Sequence, residues 1–240
     1  MSDEEKSSNK NYLWSAIISI CMVGIARFFK PDIIPFDTFE FITMKTTPLS
    51  WLIAGIPIYI WGCIIQCIIS LIYHIQNGSS SSKGPSTLKL LGASFLFSTW
   101  AGFAEEICFR WLIFFGAIVS VKIFNFLFFG FLGFGIGEWL HVNIFGHIAD
   151  WATLGFLHDQ LYSKSGWAVG AAMLMANAAF RDGHKYQGWF GILNSWFLGM
   201  FFFWMLFTHG LLAAILVHAL YDIIVFTIGI LGYKISTALS

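Results

Sequence analysis

The sequence predicts an all-α, polytopic membrane bundle of about six to eight transmembrane helices. Hydrophobic residues make up 58% of the chain, charged residues only 11%, and the mean hydropathy is +0.75. A soluble domain carries about 25% charged residues. Apolar runs recur along the chain, and several approach the roughly 20 residues that a helix needs to cross the bilayer core. The 27 Phe and 11 Trp residues suit lipid contact and interfacial belts.

The charge balance and the cysteines exclude some classes of partner. Lys plus Arg and Asp plus Glu are equal at 13 each, so no basic face for nucleic acid is expected, and the bilayer lipids are the expected surroundings. The cysteines lie in apolar runs without the spacing of a zinc knuckle or a disulfide framework. They are interpreted as small buried hydrophobic residues: Cys21, Cys63, Cys67 and Cys108.

The N-terminal part of the chain divides into a tail and a membrane segment. Residues 1–11 are polar and predict a disordered tail rather than a signal peptide. Residues 12–86 hold two predicted spans, Tyr12–Phe29 and Leu49–Ile75, with an interfacial segment between them. Pro57 predicts a kink in the second span, and a serine-rich run predicts a flexible loop after it.

Residues 87–231 form the predicted core domain. Its first apolar run is long for one crossing, which predicts a tilted or projecting helix. Between the second and third runs, a wetter stretch from His141 to Ser165 predicts a short interfacial helix, because four apolar residues recur there at helical spacing: Ile148, Trp151, Leu154 and Leu161. The predicted spans are Thr87–Val119, Val121–Leu140, Trp167–Phe180, Gly188–Phe207 and Leu211–Leu231.

The first polar cluster is a pair of neighbouring glutamates inside the first of these runs. Ionisable groups cost roughly 2.5–3.5 kcal/mol each at the centre of a membrane helix, so they indicate pairing, a wet cavity or chemistry. Glu105 and Glu106 diverge by about 100° on an α-helix, whereas Glu106 and Arg110 share a face. We therefore expect Arg110 to pair with one carboxylate, while the other faces a cavity or the pair simply braces two helices.

Two further clusters lie on later spans. Phe180-x-x-x-His184 ends the third run of the core domain, where a histidine beside Arg181 is typical of an interface. His218 and Asp222 lie four residues apart in the last span and share a face directed at the bundle interior. Taken together, the glutamates, histidines and aspartate are compatible with a hydrolytic centre, because burial raises the pKa of a carboxyl group and makes it a usable general base.

The ordered triple of motifs resembles a known family. Glu105-Glu106-x-x-x-Arg110, Phe180-x-x-x-His184 and His218-x-x-x-Asp222 look like the signature of the CAAX prenyl protease and bacteriocin-processing family, which are intramembrane glutamate proteases that include the type II CAAX prenyl endopeptidases. The resemblance covers roughly residues 87 to 230. It implies a helical bundle with a conical intramembrane polar cavity, and endopeptidase activity on prenylated CAAX tails or other membrane-associated peptide precursors.

The resemblance also implies a role for each matching residue. Glu105 activates the attacking water, Glu106 and His184 position it, and Arg110 orients the glutamates. His218 and Asp222 stabilise the oxyanion, for which Asp222 has to be protonated or have a different role. A divalent metal such as zinc, held by Glu105, Glu106, His184 and His218, and a metal-free mechanism are both compatible with this residue set.

Two departures from the family pattern concern the middle of the chain. Between Arg110 and Phe180 lie 69 residues with additional polar groups, of which His141, His147 and Asp150 raise the alternative of a metal site. Their spacing matches no strong zinc pattern, so we favour an interfacial helix there. The second departure is that Arg181 and Asp182 lie inside the Phe-x-x-x-His motif, where apolar or small residues are easier to bury, so His209 is an alternative histidine to His184.

Three functions remain open at the sequence level. The first is a membrane-embedded endopeptidase, and the second is a non-enzymatic membrane scaffold of the same fold. The third is a transporter with a proton relay, for which the chain lacks repeated halves. We expect an integral multi-pass protein, in the plasma membrane of a bacterium or in the endoplasmic reticulum or another internal membrane of a eukaryote.

Overall fold

The fold consists of helices joined by turns in the part of the chain that the structure describes. The structure is a computed structural model, and it describes residues 14, 17–28, 33–37, 39–77, 86–162 and 166–238. Within these ranges there is no β-strand, so the predicted all-α membrane bundle is confirmed. The predicted N-terminal tail and residues 78–85 of the predicted serine-rich loop lie outside the described residues.

Six longer helices, numbered in chain order, carry the described fold. They are α1 (Ile17–Phe28), α2 (Pro48–Asn77), α3 (Thr87–Leu127), α4 (Trp167–Gly183), α5 (Gly188–His209) and α6 (Leu211–Ala238). Short helical segments connect them: Glu40–Ile42, Gly130–Leu132, Ile136–Leu140, His141–Phe145, Gly146–Ala152, His158–Tyr162 and Lys185–Gln187.

Four helical segments among the described residues are long and apolar enough to cross a membrane. The helices α1 and α4 are shorter, and α2 continues as a helix through Pro57. The four segments therefore define an integral membrane protein surrounded by lipid. They are Pro48–Ile72, Thr87–Leu127, Lys185–His209 and Leu211–Lys234.

The boundary predicted between Thr87–Val119 and Val121–Leu140 is wrong. Helix α3 runs without interruption through this point for 41 residues, or about 60 Å. No proline lies near Val119, and the one nearby glycine, Gly116, is isolated within the helical run, so nothing stops the helix there. It ends instead at Leu127, where a turn with left-handed residues at Phe129 (φ 68°) and Gly133 (φ 89°) follows. Residues 121–127 of the second predicted span are the end of α3, and the short helical segments Gly130–Leu132 and Ile136–Leu140 follow.

The stretch between His141 and Ser165 contains a short helix, Gly146–Ala152, but this helix does not include all four of the apolar residues that predicted it. Helical structure stops at Ala152, and the chain turns through left-handed residues at Leu154 (φ 52°) and Gly155 (φ 76°). Ile148, Trp151 and Leu154 point outward, whereas Leu161 is completely buried. The helical spacing of the four apolar residues therefore does not produce a common face, because the helix breaks between them.

Two close helix contacts involving glycine determine how α6 packs in the bundle. A Cβ added at Gly102 of α3 would lie 2.8 Å from the backbone nitrogen of Ala219 and 3.0 Å from the carbonyl oxygen of Ile215. A Cβ added at Gly62 of α2 would lie 2.7 Å from the ring of Tyr221. Small residues allow membrane helices to approach closely. The contact at Gly102 brings the glutamates of α3, one turn further along, against His218 of α6.

We expect Gly102→Ala to destabilise the protein. The added methyl group meets backbone atoms of α6 that cannot rotate away, and overpacking of this kind costs about 1–3 kcal/mol. Gly92→Ala is the matched control on the same helix, because no atom lies within 4 Å of a Cβ built there. Thermal unfolding in detergent measures both variants. Equal melting temperatures for the two would show that the Gly102 contact does not constrain the helix pair.

Candidate active site

The first motif lies where the backbone of α3 changes geometry. Residues Glu106–Ile113 form a π-helical segment between two α-helical parts. Such segments have wider turns with i→i+5 hydrogen bonds, and they occur frequently at functional sites. Glu105 is the last residue of the α-helical part, and Glu106 is the first of the π-helical part. The two carboxylates therefore leave the helix at the junction of two geometries.

The neighbouring glutamates occupy different environments. The side chains of Glu106 and Arg110 are both 0% exposed, and Arg110 Nε lies 3.3 Å from Glu106 Oε2. The pairing predicted from their four-residue spacing is thus present. The Glu105 side chain is 31% exposed and lies at the edge of the cluster. One glutamate is enclosed in an ion pair, and the other is partly exposed.

His218 of α6 joins both glutamates. Its Nδ1 donates a hydrogen bond of 2.8 Å to Glu106 Oε1. Its Nε2 lies 3.9 Å from Glu105 Oε2 and 3.8 Å from Asp222 Oδ2. The third motif is therefore assembled against the first, with one imidazole edge bonded to a buried carboxylate and the other facing two carboxylates. The candidate site consists of five side chains: Glu105, Glu106, Arg110, His218 and Asp222.

In the second motif, the phenylalanine contacts the candidate site and the histidine does not. Phe180 lies with its ring 3.9 Å from the guanidinium carbon of Arg110 and 6.1 Å from the His218 ring. His184 follows the end of α4, and its Nδ1 donates to the Phe180 carbonyl oxygen at 2.9 Å. The His184 ring lies 4.7 Å from that of Phe180. His184 is thus in contact with Phe180 rather than with the glutamates, which differs from its expected position.

The other second-motif candidates lie at different places. Nδ1 of His209 at the end of α5 is 2.7 Å from the Thr46 hydroxyl, so His209 belongs to the contact between α5 and the segment before α2. Arg181 and Asp182 are partly exposed and pair with each other at 2.6 Å. Lys185 also pairs with Asp182, at 2.9 Å. These charges form a surface cluster at the end of α4, as the interfacial interpretation of this stretch predicts.

Two residues beside the site carry no recognisable sequence signal. Phe202 of α5 stacks on the His218 ring at 4.4 Å with an interplanar angle of 18°. It stands in a helix rich in aromatic and apolar residues, where no spacing distinguishes it. Gly102 lies four residues before Glu106 and therefore shares a helix face with it. This spacing points to Gly102 only once the glutamate is already known to be functional.

The described residues do not assemble a metal site. No group of three or more His, Cys, Asp or Glu side chains among them is placed to hold a metal ion. In the expected set of Glu105, Glu106, His184 and His218, Oε1 of Glu106 and Nδ1 of His218 face each other in a hydrogen bond. His184 lies against Phe180 and does not complete the set. These donors do not fit a shared ion.

The residues of the alternative metal site also make separate contacts with other parts of the structure. His141 is buried and donates from Nε2 to the Leu161 carbonyl oxygen at 3.0 Å, and burial lowers the pKa of His141. Asp150 Oδ2 instead lies 2.9 Å from His158 Nδ1. Each of these two groups thus has its own partner. The interpretation of His141, His147 and Asp150 as a metal site is not supported.

One cavity of the structure lies apart from the polar cluster. It has a volume of about 670 Å³ and lies between α2, α5 and the turn after Ala152. Its lining is almost wholly apolar and includes Trp61, Phe197 and Trp204. It therefore differs in character and position from the polar cavity that the family resemblance implies.

Comparisons with protein-family models, with curated proteins and with solved structures find no match for this chain. The family resemblance therefore rests on the three sequence motifs alone.

We expect Arg110→Met to destabilise the protein by about 3–5 kcal/mol, because it leaves the Glu106 carboxylate buried without its cation. Adding Glu106→Gln to Arg110→Met should recover part of this loss. Unfolding of the single and double variants in detergent measures the effect. Arg181→Met is the control, since its pair is partly exposed and worth about 0–1 kcal/mol. Equal losses for Arg110→Met and Arg181→Met would contradict the buried-pair assignment.

The exposed pair of His158 and Asp150 predicts a pH dependence. A hydrogen bond from His158 and the negative charge of Asp150 raise the pKa of His158. The pair therefore favours the folded state fully below the ordinary imidazole pKa of about 6.5, and this contribution is lost as the pH rises through the raised pKa. Titration of the His158 resonance by NMR should show Asp150→Asn lowering its pKa, and Asp159→Asn lowering it less. Superimposable titrations of wild type and Asp150→Asn would refute the pairing.

Proposed function

We propose that the chain is an intramembrane endopeptidase that hydrolyses a peptide bond through a glutamate-activated water. The observation that carries the proposal is the convergence of Glu105, Glu106 and Asp222 on His218 within otherwise apolar membrane helices. Ionisable side chains at this depth are costly and generally functional. Their arrangement on α3 and α6 joins the first and third motifs of the resemblance.

The spacing around His218 Nε2 supports a position for the attacking water. The distances of 3.9 Å to Glu105 and 3.8 Å to Asp222 are too long for direct hydrogen bonds and suit a bridging water. Oε2 of Glu105 and Oε2 of Glu106 are buried atoms that accept no hydrogen bond from the described residues. Buried polar atoms are normally satisfied by protein or water. Glu105, at the accessible edge, is the residue placed to activate such a water.

The proposed reaction follows from these positions. The Glu105 carboxylate accepts a proton as the water oxygen forms a bond to the peptide carbonyl carbon. The carbonyl oxygen becomes an oxyanion, which protonated His218 stabilises through its Nε2–H while Nδ1–H remains bonded to Glu106. Asp222 adds a second hydrogen bond when it is protonated. The C–N bond then breaks, and Glu105 returns its proton to the leaving amine.

Two other motif residues act through their neighbours in this proposal. Arg110 balances the charge of Glu106, and Glu106 holds the His218 ring in one orientation. His184 contacts Phe180, and its influence on the reaction passes through that ring. This assigns His184 a more distant role than the family resemblance implies.

The substrate class follows from the membrane setting together with the resemblance. A site within membrane helices acts on peptides that are themselves held at or in the bilayer. Prenylated CAAX tails and other membrane-associated peptide precursors are the substrates we propose. The membrane is that of the cell surface in a bacterium, or the endoplasmic reticulum or another internal membrane in a eukaryote.

The close packing of the cluster supports a second candidate function. Glu106 and Arg110 are fully enclosed, and a buried ion pair can fix the packing of helices without chemistry. A non-enzymatic membrane scaffold is therefore the alternative. The two functions differ in their dependence on Glu105, which lies at the edge and is not part of the enclosed pair.

We expect Glu105→Gln to lower the rate of peptide cleavage by a factor of about 10² to 10⁴, because the amide cannot act as a general base. The measurement is cleavage of farnesylated CAAX peptides and membrane-anchored precursor peptides by purified protein in detergent. Glu138→Gln makes the same chemical change at a position outside the site and should leave the rate unchanged. Chelator-treated wild type tests the metal-free route in parallel.

If the protein is a scaffold, we expect Glu105→Gln to have no effect, because no reaction depends on the carboxylate. Full cleavage by Glu105→Gln would refute the assignment of the base. Absence of cleavage of every peptide by the wild type, with normal folding and no phenotype for Glu105→Gln in cells, would favour the scaffold.

A further inference from the structure

The guanidinium group of Arg110 is held in an unusual way. It is fully buried, and its counter-ion Glu106 is 3.3 Å from Nε. Yet Nε, Nη1 and Nη2 donate no hydrogen bond to any residue that the structure describes. A buried arginine usually meets a carboxylate through two parallel hydrogen bonds that fix its orientation. Here the ion pair supplies charge compensation without that geometric constraint.

Aromatic rings surround the group instead. The guanidinium carbon lies 3.9 Å from the ring centre of Phe180, 5.4 Å from that of Phe202 and 5.7 Å from that of Phe203. All three rings are within the distance of about 6 Å at which a cation is attracted by an aromatic face, and the attraction is strongest when the cation is desolvated. Two helices supply the rings, since Phe180 belongs to α4 and the other two to α5.

Two of these rings also contact the imidazole of His218. Phe202 stacks on it at 4.4 Å, and Phe180 meets it at 6.1 Å with an interplanar angle of 81°. The same two side chains therefore touch the cation on α3 and the imidazole on α6. Glu106 connects that cation and that imidazole through its two carboxylate oxygens. The rings and the carboxylate enclose Arg110 and His218 together.

We infer that Phe180 and Phe202 are positioning residues that hold Arg110 and His218 on the two oxygens of Glu106. The inference rests on the proposed function. It gives the phenylalanine of the second motif a physical role, because its ring orients a cation that no hydrogen bond to the described residues orients. It also adds Phe202, which belongs to none of the motifs. The rings act through Arg110 and His218 and do not contact the substrate.

The activity test uses Phe180→Leu, which removes the aromatic face and keeps an apolar side chain. We expect kcat to fall about tenfold with KM unchanged, and the pH profile of kcat to shift, because a loosened Arg110 changes the charge around Glu106 and His218. Phe180→Tyr retains the ring face and should restore both kcat and the profile. Phe115→Leu is the matched control, because Phe115 is equally buried but belongs to the core around α1 and α4. Phe202→Leu should behave as Phe180→Leu does.

A second measurement is independent of peptide cleavage. Melting temperatures of Arg110→Met, Phe180→Leu and the double variant form a cycle. A cation held by the ring predicts that the double variant loses less than the sum of the two single losses. Additive losses, or a kcat and pH profile for Phe180→Leu identical to those of Phe115→Leu, would overturn the inference. If the wild type cleaves no peptide, the proposed function fails while the cycle still decides whether the rings hold Arg110.

Discussion

The carboxylate of Glu106 is the group on which the candidate site depends. It is enclosed completely, with Arg110 on one oxygen and His218 on the other. In a low-dielectric interior neither the anion nor its partners tolerate removal of a neighbour, because each is left as an uncompensated buried charge or polar group. Helices α3 and α6 are therefore tied together at one point by electrostatics, and the positions of Glu105 and Asp222 follow from that attachment.

Backbone shape makes this attachment possible. The contact of Gly102 with Ala219 allows α3 and α6 to approach at backbone distance one turn before the glutamates. The π-helical segment that begins at Glu106 then changes the direction of the side chains in the same helix. A close helix contact and an irregular turn lie directly next to each other, and together they direct Glu106 to the interior while Glu105 remains at the edge.

The sequence predicts the pairs that lie within one helix and misses the features that depend on neighbouring helices. The pairing of Arg110 with Glu106 follows from a four-residue spacing that α3 preserves. Composition alone does not reveal that α3 continues past Val119, because apolar residues lie on both sides of the predicted boundary. The π-helical segment, the stacking of Phe202 on His218 and the displacement of His184 behind Phe180 arise from packing between α3, α4, α5 and α6, which no periodicity within one segment encodes.

The difference between the two adjacent glutamates connects structure to chemistry. A general base has to exchange protons with a substrate, so it needs an accessible carboxylate whose partner is not a permanent cation. Glu105 meets this requirement because its side chain is partly exposed, and because His218, 3.9 Å away, is already bonded to Glu106. A residue that orients an imidazole needs the opposite, a fixed and enclosed anion, and Glu106 provides it. Two identical side chains that are adjacent in sequence thus lie in different environments, because one is on the inner side of the α3–α6 contact and the other at its edge.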